Sequence, residues 1–121
     1  IMDEPEDLGG SNAAMNPVEA LLCSLGACQT ICVYAFAARK RFTFEEFHVE
    51  LEGDLDPDGF LGKNKDVRNG FSEIRFTMHF KTDEPREKVE AFSEFIESVC
   101  PVGDCLQNGV KLVKAGVVID K

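Results

Sequence analysis

The sequence predicts an α+β domain, with helices packed on one face of an antiparallel sheet, and three observations carry that reading. An uncharged stretch between Glu19 and Arg39 opens on a helix-start signature. Two later segments alternate apolar and polar side chains with period two. A third carries apolar residues at helical spacing and runs into a proline. At 121 residues, 44% apolar and 29% charged, the chain has the size and composition of one folded core. It is read as a single domain, with residues 1–15 as a lead-in and 16–121 as the core.

The lead-in is acidic, contains Gly and Asn, and lacks periodicity. Asn16 can cap the first helix, Pro17 suits its first position, and Glu19 completes a capping box. The helix is expected to reach about Arg39, where Arg39, Lys40 and Arg41 meet the negative end of its dipole. A helix this long and uncharged is either a membrane span or a core helix. Ser24, Gly26, Gln29, Thr30 and three cysteines favour a central helix buried on nearly all sides. In the first strand Phe47, Val49 and Leu51 face inward. In the second, Ile74, Phe76, Met78 and Phe80 do so. The Asp-, Gly- and Asn-rich stretch between them predicts a long-looped antiparallel pair. A second helix begins around Asp83-Glu84-Pro85 and buries Val89, Phe92, Phe95, Ile96 and Val99. Pro101 should break or restart it. The pattern from Val113 to Ile119 predicts a closing strand.

Thirteen Lys and Arg against 22 Asp and Glu give a net charge of −9. Such a surface repels phosphate backbones and anionic lipid, so neither nucleic acid nor a membrane is expected as a partner. With no Trp and one Tyr there is also little to stack on bases. Function is therefore expected in a pocket.

Five cysteines are the unusual feature. Their spacings form no disulfide framework and the opening residues show no signal-peptide pattern, which predicts a reducing, cytoplasmic setting. Cys28 and Cys32, four apart, share a helical face, while Cys23 points elsewhere and reads as core. Cys105 stands five positions from Cys100, so within one helix the two point apart. If Pro101 opens a new helical turn, Cys100 is its N-cap, where backbone N–H groups favour a thiolate and a lowered pKa. Otherwise Cys100 only ends the preceding helix.

Zinc would need paired ligands, and only Cys28/Cys32 and Cys100/Cys105 are compact enough, with no C-x-x-C. His48 and His79 fall on the polar strand faces, which removes a Cys–His dyad. No metal site is assigned. Asp54, Asp56, Asp58 and Gly59 open like a calcium loop, but Lys65 occupies the closing position and Pro57 intrudes, so the segment reads as an acidic solvated turn.

The run Asn16-Pro17-Val18-Glu19-Ala20-Leu21-Leu22-Cys23-Ser24-Leu25-Gly26-Ala27-Cys28 is similar to the signature helix of the OsmC/Ohr family. Cys100-Pro101-Val102, after the second amphipathic helix, resembles its second cysteine signature. The resemblance spans about Leu8 to Ile119. It implies an OsmC-like fold with two central helices against antiparallel sheet, in a homodimer with sites at the subunit interface, and it predicts that the family's N-terminal hairpin lies outside this chain. It also implies a thiol-dependent peroxidase: Cys28 would attack an organic hydroperoxide, Cys100 would resolve the sulfenic acid as a disulfide, and an external dithiol would reduce it, without a cofactor. Phe36 and the Phe-rich second helix would supply the apolar surround. Two positions depart from the family pattern: no Arg precedes Asn16, and Val18 follows Pro17 where many members have Glu. The alternatives are a non-catalytic OsmC-like protein, binding a small molecule or responding to redox state, and a Cys-rich zinc module.

Overall fold

The computed structural model describes residues 1–120. The lead-in holds a 3-10 turn, Glu6–Leu8, and the Asp3 carboxylate gathers the loop by accepting from the Ser11 hydroxyl and the backbone N–H groups of Ser11 and Ala13. The order that follows is α1 (Pro17–Phe36), β1 (Glu46–Asp54), α2 (Pro57–Phe60), β2 (Glu73–Lys81), α3 (Arg86–Val99) and α4 (Pro101–Asn108).

The capping box of α1 is formed in both directions. Asn16 Oδ1 accepts from Glu19 N at 2.8 Å, and Glu19 Oε1 accepts from Asn16 N at 2.9 Å. The helix stops at Phe36, short of Arg39. Residues 37–41 turn away instead, with Arg41 in the left-handed region at φ 54°. Lys88 Nζ donates to Arg41 O at 2.6 Å and ties this turn to α3.

β1 and β2 pair antiparallel from Glu46↔Lys81 to Asp54↔Glu73, with the expected inward faces. α1 lies on β1 where Gly26 removes bulk: a Cβ there would stand 2.7 Å from Leu51 Cδ1. α3 packs against the same helix, and Ile96 and Val33 are fully buried between them. Phe42 stacks on Phe92 at 4.3 Å, and Phe36 meets Phe95 edge-on at 5.2 Å.

Three further expectations are corrected. α1 is buried along one face (Leu25, Gly26, Gln29, Cys32 and Val33), not on nearly all sides. Ile31 and Tyr34 on the other side are 68% and 60% exposed. Cys23 lies on that open side and is exposed, not core. The segment from Val113 to Ile119 forms no strand, and its apolar residues stand in solvent. Alternation sets which face of a strand is buried, but a strand also needs an edge to bond to, and this segment meets none among the described residues. The acidic inter-strand loop holds one surface turn of helix, α2, capped by Asp56. Asp54, at the end of β1, pairs bidentately with Arg75 at 2.8 and 2.9 Å, so the D-x-D run serves ion pairing and capping.

Candidate functional site

The site is built where α1 crosses the junction of α3 and α4. Cys28 and Cys32 lie one turn apart on α1, and Cys100 separates the two later helices. Pro101 does restart the helix. Cys100 becomes the N-cap of α4, and its sulfur accepts from Gly103 N at 3.4 Å. The three sulfurs of Cys28, Cys32 and Cys100 all lie within 4.8 Å of one another. All five thiols are free. Cys32 and Cys100 are buried, Cys28 is half-buried, and Cys23 and Cys105 are exposed.

Burial decides the protonation of the two inner thiols. The Cys32 thiol is pushed up to about 11, first by desolvation and then by Cys28 and Cys100 beside it. The Cys100 thiol is also raised, by desolvation and by Cys28, against the lowering pull of the Gly103 and Val102 N–H groups. The N-cap geometry expected from the sequence is therefore present, but its expected effect is overridden. At 2% exposure, lost hydration outweighs the helix-terminal donors.

Beside Cys100 opens a cleft of about 680 Å³, walled by Leu25, Ile74 and Phe76 and reached by Gln29 and Arg68; Cys28 does not line it. Gln29 is 2% exposed and its Oε1 meets no donor among the described residues. A buried acceptor left unpaired is costly, so it favours a ligand or water that donates. Sequence reasoning missed two residues here, Gln29 and Arg68, and placed Cys32 on the face of Cys28 without giving it a catalytic role. Gln29 was visible only as a polar residue in an apolar helix. Arg68 comes from the inter-strand loop, where no pattern marks it.

His48, Glu50 and His79 form a second cluster on the outward sheet face, with Glu50 Oε1 3.2 Å from His79 Nε2 and 3.6 Å from His48 Nε2. All three are exposed, and they stand on the polar face, away from the thiols, as the alternation implied.

A central helix bearing one cysteine signature, with the second at a helix junction across from it, is the arrangement that the sequence resemblance implied. The family model described as OsmC-like protein matches residues 9–113. The chain belongs to the OsmC-like family. Among curated proteins, this OsmC-like chain is 26% identical over 97 residues to a hydroperoxide reductase of Mycoplasma genitalium. The match takes in 78% of the chain and 63% of that protein, so the chain spans less than two thirds of the relative's length. A crystal structure of an OsmC-like protein from Mycoplasma pneumoniae superimposes with TM-score 0.73 at 21% identity, over 86% of this chain and 68% of that one. An organic hydroperoxide resistance protein OsmC from Legionella pneumophila gives 0.68 at 20% identity, over 88% and 72%. At these identities the structures establish a shared fold.

Proposed function

We propose that this OsmC-like chain reduces organic hydroperoxides through Cys28 and Cys100. The observation that carries the reading is the proximity of the two sulfurs, within 4.8 Å, with Cys28 the more accessible of them. The Cys28 thiolate attacks a peroxide oxygen, the O–O bond breaks, and the alcohol leaves with a proton while Cys28 becomes a sulfenic acid. The Cys100 thiol displaces the hydroxyl as water and forms the disulfide, which needs the sulfurs to close to about 2.05 Å. An external dithiol then takes over the oxidation and returns both thiols. The apolar wall of the cleft beside Cys100, made by Leu25, Ile74 and Phe76, suits an organic peroxide better than hydrogen peroxide.

The partner in this reading is a second copy of the chain. The open face of α1, with Ile31 and Tyr34 exposed and no charge between Glu19 and Arg39, is an apolar surface of the kind a subunit interface covers. Sedimentation should give a dimer, and Ile31→Asp should shift it toward monomer.

The test of the activity is peroxide consumption with a dithiol reductant, comparing cumene hydroperoxide with hydrogen peroxide. Turnover favouring the organic peroxide, abolished in Cys28→Ser and proceeding without a Cys28–Cys100 disulfide in Cys100→Ser, is the expected result. No turnover above the background of free thiols, with the cysteines still reduced, would remove the reading. One observation favours a second one: the cleft with the unpaired Gln29 Oε1 suits a small molecule that donates a hydrogen bond, bound without chemistry.

A further inference from the structure

The peroxidase reading uses two thiols, yet the fold brings three together. Cys32 is 7% exposed and lies within 4.8 Å of both Cys28 and Cys100 at sulfur. A buried cysteine is commonly a small apolar filler. Here it completes a triangle drawn from two separate elements, one edge spanning a turn of α1 and the apex at the start of α4.

We propose that Cys28, Cys32 and Cys100 form a trithiol site for trivalent arsenic, held as a neutral three-coordinate As(SR)₃ centre. The geometry sets the coordination number. Bonds of about 2.3 Å, as thiolates make to zinc, place three sulfurs roughly 3.5–4 Å apart. From their 4.8 Å bound the sulfurs need to close by at most about 1.3 Å, a movement within reach of side-chain rotation. Among the described residues no fourth Cys, His, Asp or Glu joins the group.

Charge selects among soft ions. Structural zinc is almost always four-coordinate. Monovalent copper, also thiophilic, would carry a net −2 on three thiolates, inside a chain whose own net charge is −9. Arsenous acid is neutral, and so is its trithiol adduct. Three S–H and three As–OH bonds break, three As–S bonds and three waters form, and arsenic stays trivalent. No thiolate has to be buried as a charge. Half-buried Cys28 is the point of access. The site stands on sulfur geometry and holds whether or not Cys28 turns over peroxide.

The test uses the full, reduced chain with sodium arsenite, read by native mass spectrometry, equilibrium dialysis and arsenic X-ray absorption. The expected result is one arsenic per chain, a mass gain of one arsenic less three hydrogens, and three sulfur neighbours. Loss of an outer-shell partner alone costs 10–100-fold in metal affinity, so removing a ligand in Cys32→Ser or Cys32→Ala should raise Kd at least about tenfold. Cys23→Ser and Cys105→Ser should leave Kd unchanged. Two sulfurs and one oxygen around arsenic in the wild type would overturn the site without reference to any variant. So would wild-type affinity in both Cys32 variants, or loss of binding in Cys23→Ser or Cys105→Ser.

Discussion

Gly26 sets how closely α1 approaches the sheet, and its replacement by alanine can be worked out from the structure. The new Cβ would stand 2.7 Å from Leu51 Cδ1 and 3.4 Å from Val49 Cγ1. The first distance is a clash and the second is tight. Forcing a methyl group into a packed core costs about 1–3 kcal/mol. Alanine in place of glycine inside a helix returns about 1 kcal/mol. The net expectation for Gly26→Ala is a loss between roughly zero and 2 kcal/mol, read from urea unfolding. The discriminating measurement is the same substitution in a Leu51→Ala background, where the clashing atom is gone. There only the tight Val49 contact opposes the helix term, and Gly26→Ala should stabilise by up to about 1 kcal/mol. The reversal of sign is a coupling of about 1–3 kcal/mol, well above the few tenths by which independent sites deviate from additivity. Equal effects in the two backgrounds would refute the contact. It would then be wrong to say that Gly26 fixes the spacing of α1, and with it the depth of Cys28.

Further outcomes follow from the same packing. Ile96 is fully buried, so Ile96→Ala should cost about 2–5 kcal/mol in denaturant unfolding, with the midpoint moving and the slope holding. Asn16→Ala removes one half of the capping box and should cost about 1 kcal/mol. Cys32 gives a pH dependence: below about pH 9 its thiol is protonated folded and unfolded, whereas between about 9 and 11 only the unfolded chain ionises. Stability should therefore fall as pH rises through that window, by at most about 1.4 kcal/mol per pH unit from this group, and Cys32→Ala should flatten the decline. In the proposed reaction, the exposed thiols stand outside the cluster, so Cys23→Ser and Cys105→Ser should keep full peroxide turnover.

Local physics was legible in the sequence wherever it acts over a few residues. The capping box at Asn16 and Glu19, the alternation of β1 and β2, and the restart of the helix at Pro101 each depend on neighbours within a turn or a pleat. The misreadings share a different cause. Whether α1 is covered on its second face, whether the segment from Val113 to Ile119 finds an edge, and whether Cys23 is core all depend on surfaces remote in sequence. Hydrophobicity records only that a residue prefers cover. The placement of Arg68 on the cleft that Cys100 also lines is of the same kind, a loop crossing that composition does not encode.

Cys100 shows why position and environment must be weighed together. Its place at the N-cap of α4 argues for a thiolate, yet its burial argues for a thiol, and the second prevails. That outcome is suited to the role proposed for it. A thiol that stays protonated is a poor competitor for peroxide, since the thiolate is the nucleophile. It also carries the proton that the departing hydroxyl of a Cys28 sulfenic acid needs in order to leave as water. The helix-terminal N–H groups then act late, steadying negative charge on sulfur only as the S–H bond breaks. In the proposed reaction burial would divide the labour within the cluster: half-buried Cys28 would meet the oxidant first, and Cys100 would act once Cys28 is a sulfenic acid.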